Sequence, residues 1–101
     1  MEDRNLYNGL IRMHILHHAA AGPIFGQWMI DELGHHGYRL SAGTLYPILH
    51  GMERQGYLKS RLMQKDGRNR RVYHATPLGR KALGTARKRV QELFGEMFEH
   101  E

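Results

Sequence analysis

The chain has 101 residues, with 15 Lys/Arg against 10 Asp/Glu, a formal charge of +5 and no cysteine. That length suits one domain with a modest core, to which a partner subunit would add useful stability. Without cysteine there are no disulfides, thiol nucleophiles or Cys-ligated zinc sites. No apolar run is long enough to cross a bilayer, and Met1-Glu2-Asp3-Arg4 leads into mixed polarity rather than a signal-peptide core, so a cytoplasmic protein is expected.

From Leu6 to Ala20 the residues Leu6, Tyr7, Leu10, Ile11, Met13, Ile15 and Leu16 recur at helical spacing over much of the circumference. This predicts a helix buried on more than one side. Gly22-Pro23 breaks the chain. A shorter helix is predicted over Phe25 to Leu33, with Phe25, Trp28, Met29, Ile30 and Leu33 as its apolar face, and Gly34-His35-His36-Gly37 closes it.

Ser41 reads as the N-cap of a third helix, its hydroxyl accepting from an orphan backbone N–H. Leu45, Ile48, Leu49 and Met52 follow the i, i+3, i+4, i+7 pattern and must face the core. Gly43, Tyr46, His50 and Arg54 then line the opposite side. Pro47 lies past the first turn, where its ring presses on the carbonyl of Gly43, so local distortion is expected. Gly56 suits a left-handed cap.

Two strands are predicted over Tyr57 to Gln64 and Arg70 to Ala75, joined by Lys65-Asp66-Gly67-Arg68-Asn69, in which Asp-Gly signals a tight hairpin. Thr76-Pro77 opens a last helix running to about Phe98. Leu83, Ala86, Val90, Leu93 and Met97 step by threes and fours along it, the spacing of a coiled-coil seam, and Phe94 and Phe98 widen its apolar surface.

Charge is distributed as unevenly as apolarity. Residues 54 to 89 hold twelve Lys/Arg and one acid, whereas residues 90 to 101 hold four Glu and no Lys or Arg. Concentrated cations favour a polyanion, because neutralising phosphates releases condensed counterions; a merely solvated basic face is the plainer alternative.

Three helices followed by a basic hairpin have the order of a winged helix-turn-helix. There the third helix enters the DNA major groove and the wing meets the neighbouring backbone or minor groove. Gly43 allows close backbone approach, the helix start presents partial positive charge, and Tyr46 and His50 offer hydrogen-bonding tips. A structural alternative has Tyr46 and Pro47 simply packing against the hairpin. The fold class expected is mostly α with a small β hairpin: residues 1 to 76 as the DNA-binding part and residues 77 to 101 as a dimerisation helix, in one compact unit.

The stretch Tyr38 to Leu58, with its core Ser41-x-Gly43-Thr44-Leu45-Tyr46-Pro47-x-Leu49-x-x-Met52-Glu53-x-x-Gly56, resembles the signature of the PadR family of bacterial transcriptional regulators. Thr76-Pro77-Leu78-Gly79-Arg80 resembles the family's entry into its C-terminal helix, and a single such helix matches the small subgroup. The resemblance implies a homodimeric winged-helix repressor on double-stranded DNA with an inverted-repeat operator, with release by a small molecule as a further expectation. It carries DNA contact to Ser41, Gly43, Thr44, Tyr46 and Pro47, with Tyr38 beside them and Lys65, Arg68, Arg70 and Arg71 on the wing. It carries dimerisation to the C-terminal helix, whose seam residues are Leu83, Ala86, Val90, Leu93, Phe94 and Met97. Two departures stand out: Phe25-Gly26-Gln27-Trp28 replaces the His-Gly-Tyr that many relatives carry, and Ala75 stands where a larger apolar residue is usual.

His14, His17 and His18 stand at i, i+3 and i+4, and His35-His36 adds two more imidazoles in the second turn, so a metal sensor is an alternative function. Lacking Cys and an acid at helical spacing beside them, these histidines are read instead as partly exposed residues near a dimer surface, and neither metal nor cofactor is expected. A drug-responsive dimer pocket and a sequence-independent architectural binder are the remaining alternatives. No nucleophile–base pair, paired carboxylates or phosphate-cradling loop points to an enzyme.

Overall fold

The computed structural model describes residues 3–99. Four α-helices and three short strands follow in the order α1 (Arg4–Ala21), β1 (Ile24–Phe25), α2 (Gly26–His35), α3 (Ala42–Arg54), β2 (Leu58–Lys65), β3 (Arg68–Ala75) and α4 (Pro77–Phe94), with a π-helical turn over Gly95–Glu99. The sheet is antiparallel in the order β1-β3-β2. This is the winged-helix arrangement, with β2 and β3 as the wing.

The predicted apolar faces meet in one core. Ile11 and Ile15 of α1, Met29 and Leu33 of α2, Leu45 and Leu49 of α3, Leu58 of β2 and Tyr73 of β3 are almost wholly buried. At about 1.5–3 kcal/mol for each fully buried aliphatic side chain, this core is the main force holding the layers together. α4 joins it through Leu83 near its start; beyond that point its side chains emerge into solvent.

Helices α2 and α3 end in the same way. After α2 the Tyr38 N–H donates to the Leu33 carbonyl at 2.9 Å and the Gly37 N–H to Gly34 at 3.0 Å. After α3 the Tyr57 N–H donates to Met52 and the Gly56 N–H to Glu53, both at 2.9 Å. Gly37 and Gly56 sit at φ 89° and 86°, the left-handed conformation that this closure needs and that glycine adopts without a Cβ penalty. At the head of α4 the Thr76 hydroxyl accepts from the Gly79 N–H at 2.9 Å and donates to the Gly56 carbonyl, so one side chain caps α4 and fastens it to the end of α3.

Several boundaries differ from expectation. The hairpin turn is tighter: Lys65 pairs directly with Arg68, and only Asp66 and Gly67 turn the corner, both at positive φ. β1 has no counterpart in the predicted elements; two residues after Pro23 are too few to show alternation, and β3's free edge recruits them. α3 runs unbroken through Pro47, so the expected distortion does not interrupt it. The α geometry of α4 stops at Phe94, and the following π turn moves Met97 and Phe98 off the seam's helical register. Leu83 and Ala86, read as seam residues, lie buried and half-buried within the protomer, Leu83 in its own core.

Candidate nucleic-acid interface

The side of α3 opposite its core stripe is open: Ser41, Ala42, Gly43, Pro47, His50 and Arg54 are exposed, while Thr44 and Tyr46 are half-buried. A Cβ built on Gly43 would meet only the Ser41 Oγ, at an ordinary 3.7 Å. Nothing inside the protein requires glycine there. Ser41 stands at the N-cap but does not cap through its side chain; the hydroxyl instead donates to Thr44 Oγ1 at 3.3 Å. Its carbonyl accepts from the Thr44 and Leu45 N–H groups instead. The helix therefore presents first-turn N–H groups and its positive dipole end outward.

Tyr46 faces outward only in part. Its ring lies over the first residue of α2, so that a Cβ on Gly26 would collide with the Tyr46 phenol. Beside it is a cavity of about 370 Å³ bounded by Phe25, Gly26, Gln27 and Tyr46 on one side and residues 68–71 of β3 on the other. α2 begins there without a side-chain cap, because the N-cap residue is Phe25. Orphan N–H groups, a phenol hydroxyl and three arginines thus border one cavity, which suits the oxygens of an anion. Tyr46 packs on α2, as the structural alternative has it in part, and faces the wing across that cavity. That alternative fails for Pro47, which is exposed and borders a separate groove with Arg12 and Gln55. His50 lies one turn along, its ring 6.3 Å from that of Tyr46.

The wing cations are mostly exposed. Lys65 and Arg68 stand directly opposite each other at the tip, a like-charge pairing that costs stability in isolation and that a polyanion would relieve. The Lys65 ammonium also lies 4.8 Å from the centre of the Phe25 ring. Arg70 is half-buried. Arg71 is held: its guanidinium donates to Ser60 Oγ at 3.1 Å, and Ser60 donates to Glu53 Oε2 from both hydroxyl (2.7 Å) and backbone (3.1 Å). This relay from α3 through β2 to β3 fixes the wing relative to the helix. No local signal marks it, because Glu53 and Ser60 meet only where α3 packs against β2. Below the relay lies Tyr73, fully buried, its hydroxyl without a hydrogen-bond partner among the described residues; burial, with the Glu53 charge adding to it, raises its pKa above the ordinary 10.

Tyr38 is placed elsewhere. Its ring packs against α1, 6.0 Å from Tyr7 and 5.5 Å from His14, in the α1–α2 seam rather than among the side chains bordering α3 and the wing. The same seam receives the histidines. His14 stacks on His36, whereas His18 faces Glu32 of α2, an acid that sequence spacing could not associate with it. His17 is exposed. Among the described residues, no group of three His, Cys, Asp or Glu side chains is arranged to hold a metal ion.

A second surface runs along α4. Val90, Leu93, Phe94, Met97 and Phe98 are between 42 and 69% exposed, and Leu10 of α1 adjoins Val90 and Phe94, leaving large apolar side chains uncovered along α4. A groove of about 590 Å³ runs between α1 and α4 within this face, floored by Leu10, Met13, Leu83 and Phe94. No helix among the described residues is long and apolar enough to cross a membrane.

Comparison with known proteins agrees with this geometry. Over 94 residues, 93% of this chain and 88% of the relative, the sequence is 50% identical to the transcriptional regulator Rv3488 of Mycobacterium tuberculosis. A PadR family transcriptional regulator from Eggerthella lenta superposes with a TM-score of 0.78 at 27% identity, covering 96% of this chain and 88% of the other. A PadR-like regulator from Bacillus cereus, 22% identical, shares the fold with a TM-score of 0.78 over 96% of this chain and 99% of its own. Residues 15–85 match the description of the transcriptional regulator PadR-like family, so the chain belongs to that family.

Proposed function

We propose that this regulator is a sequence-specific repressor that binds an inverted-repeat operator as a homodimer and is released by a small ligand. The DNA reading rests on the open N-terminal face of α3 around Gly43 and on the wing cations Arg68, Arg70 and Arg71, which border the same cavity as Tyr46 of α3, with Lys65 opposite Arg68 at the wing tip. On that surface Ser41, Gly43, Thr44, Tyr46, Pro47 and His50 address the major groove, and the wing cations address phosphates. Tyr38 supports the entry to α3 from behind.

The exposed face of Val90, Leu93, Phe94 and Met97 is the dimer contact, because monomers rarely leave so many large apolar side chains together in water. Residues 1 to 76 then bind DNA and residues 77 to 101 pair the copies. The groove between α1 and α4 is the site for an apolar effector at that contact. The test is selection from a random DNA pool followed by competition against unselected duplex. A repressor enriches a palindromic sequence and prefers it by about 10³-fold or more. An architectural binder enriches nothing and competes equally with any duplex.

A further inference from the structure

Five histidines and one carboxylate meet where α1 crosses the end of α2. Glu32 Oε2 lies 3.0 Å from His36 Nε2 and 3.3 Å from His18 Nε2, and its Oε1 lies 3.7 Å from His35 Nδ1. His14 stacks on His36 with ring centres 4.7 Å apart and planes 30° apart, while His17 touches His18 edge-on at 5.0 Å. The surroundings add little negative charge. Arg87 of α4 borders the groove shared by His14 and His17, and Lys65 of the wing borders the one shared by His18 and Trp28. Tyr7 and Tyr38 complete the seam, and Asp31, one residue before Glu32, is exposed and accepts from Gln27.

This cluster sits on the closure of α2. His36 is the cap residue, and the Gly37 and Tyr38 amides that seal the helix follow at once, three residues before α3's cap Ser41. With His14 and His18 neutral, the contacts of His14 with the His36 ring and of His18 with Glu32 close the seam without surplus charge. As His14 and His18 charge, Glu32 balances the imidazolium of His18, whereas His14 becomes a cation with no carboxylate against it and with Arg87 bordering the same groove.

We propose that His14 and His18, packed against His36 and Glu32, form a proton-operated latch on the turn that leads into α3, closed when these two imidazoles are neutral and opened when they charge. Burial already disfavours the charged forms of His14 and His18, and His36 lowers His14 further. The output, weaker operator binding on acidification, rests on the DNA reading above; the opening itself does not. Its sign is diagnostic, because added positive charge on a DNA-binding protein would by itself strengthen binding.

Hydrogen exchange on the full chain tests the latch directly. The Tyr38 amide closes α2 and the Tyr57 amide closes α3 through bonds of the same type and length, so Tyr57 is an internal control. Between pH 7.5 and 5.5 the protection factor of Tyr38 should fall about tenfold relative to that of Tyr57, the scale of one unit of proton affinity. His14→Phe, which keeps a ring for stacking but carries no proton, should flatten that response. Equal changes at both amides in the wild type would overturn the latch whether or not the variant folds, as would an undiminished response in a folded His14→Phe protein. A duplex selected by the protein at pH 7.5 then serves as the DNA probe, with affinity expected to fall about tenfold over the same range. Affinity that rises instead overturns the link from latch to operator, whereas failure to select any sequence counts against the DNA reading and leaves the exchange result to decide the latch.

Discussion

At the scale of single residues, Gly43 separates binding from folding. The site is helical and open, and alanine there would meet no protein atom closer than 3.7 Å. Replacing glycine by alanine in an exposed helix stabilises by about 0.5–1 kcal/mol, so Gly43→Ala should melt no lower than the wild type. The added methyl would nevertheless hold the backbone away from DNA, and operator affinity should drop about tenfold or more, the 1–3 kcal/mol of a lost specific contact. Thermal melting and a binding isotherm on the same sample check both halves. Gly26 is the opposite case, since its Cβ position is occupied by the Tyr46 phenol and any side chain there forces the ring to move.

At the scale of elements, the helices with a clear apolar stripe were legible in the sequence, α3 best of all, because Leu45, Ile48, Leu49 and Met52 leave one way to face a core. Asp66-Gly67 likewise located the hairpin. The two-residue β1 and the Glu53–Ser60–Arg71 relay were not legible, because each exists only through pairing with a distant segment. Ser41 shows a different limit: a residue suited to capping found a side-chain partner in Thr44.

The α1–α2 seam was unreadable for the same reason, since α1's histidines meet Glu32 only once the helices cross, and it has a consequence for stability. Burial, and for His14 also the neighbouring His36, lowers the pKa values of His14 and His18 below the ordinary 6.5, so the unfolded chain binds more protons. Stability is therefore greatest above pH 6.5 and is lost as pH falls through that value toward the lowered ones. The hydrogen bond with His36 holds Glu32 below its ordinary 4.5, adding stability that is present above that pH and disappears as pH falls through its lowered value. Melting temperature measured from pH 8 downward should thus decline from about pH 6.5, an onset that carboxylates alone would place below 5. A flat profile between pH 7.5 and 5.5 would contradict this.

For the whole molecule, the two surfaces must work together. On the proposed function, the basic face on α3 and the wing would span one half-site, and the apolar face on α4 would set how two such faces are spaced. A charge at Leu93, which is 53% exposed and outside the protomer core, should leave the fold intact and halve the sedimenting mass. Leu93→Glu that still sediments as a dimer would remove α4 from the contact. The most direct test of the account is a hydroxyl-radical footprint of the wild-type protein on its selected operator. Two symmetric protected patches on one face of the duplex, centred about 34 Å apart with weaker protection at the flanks where the wings reach, are the predicted result. A single patch, or even protection without symmetry, would contradict it.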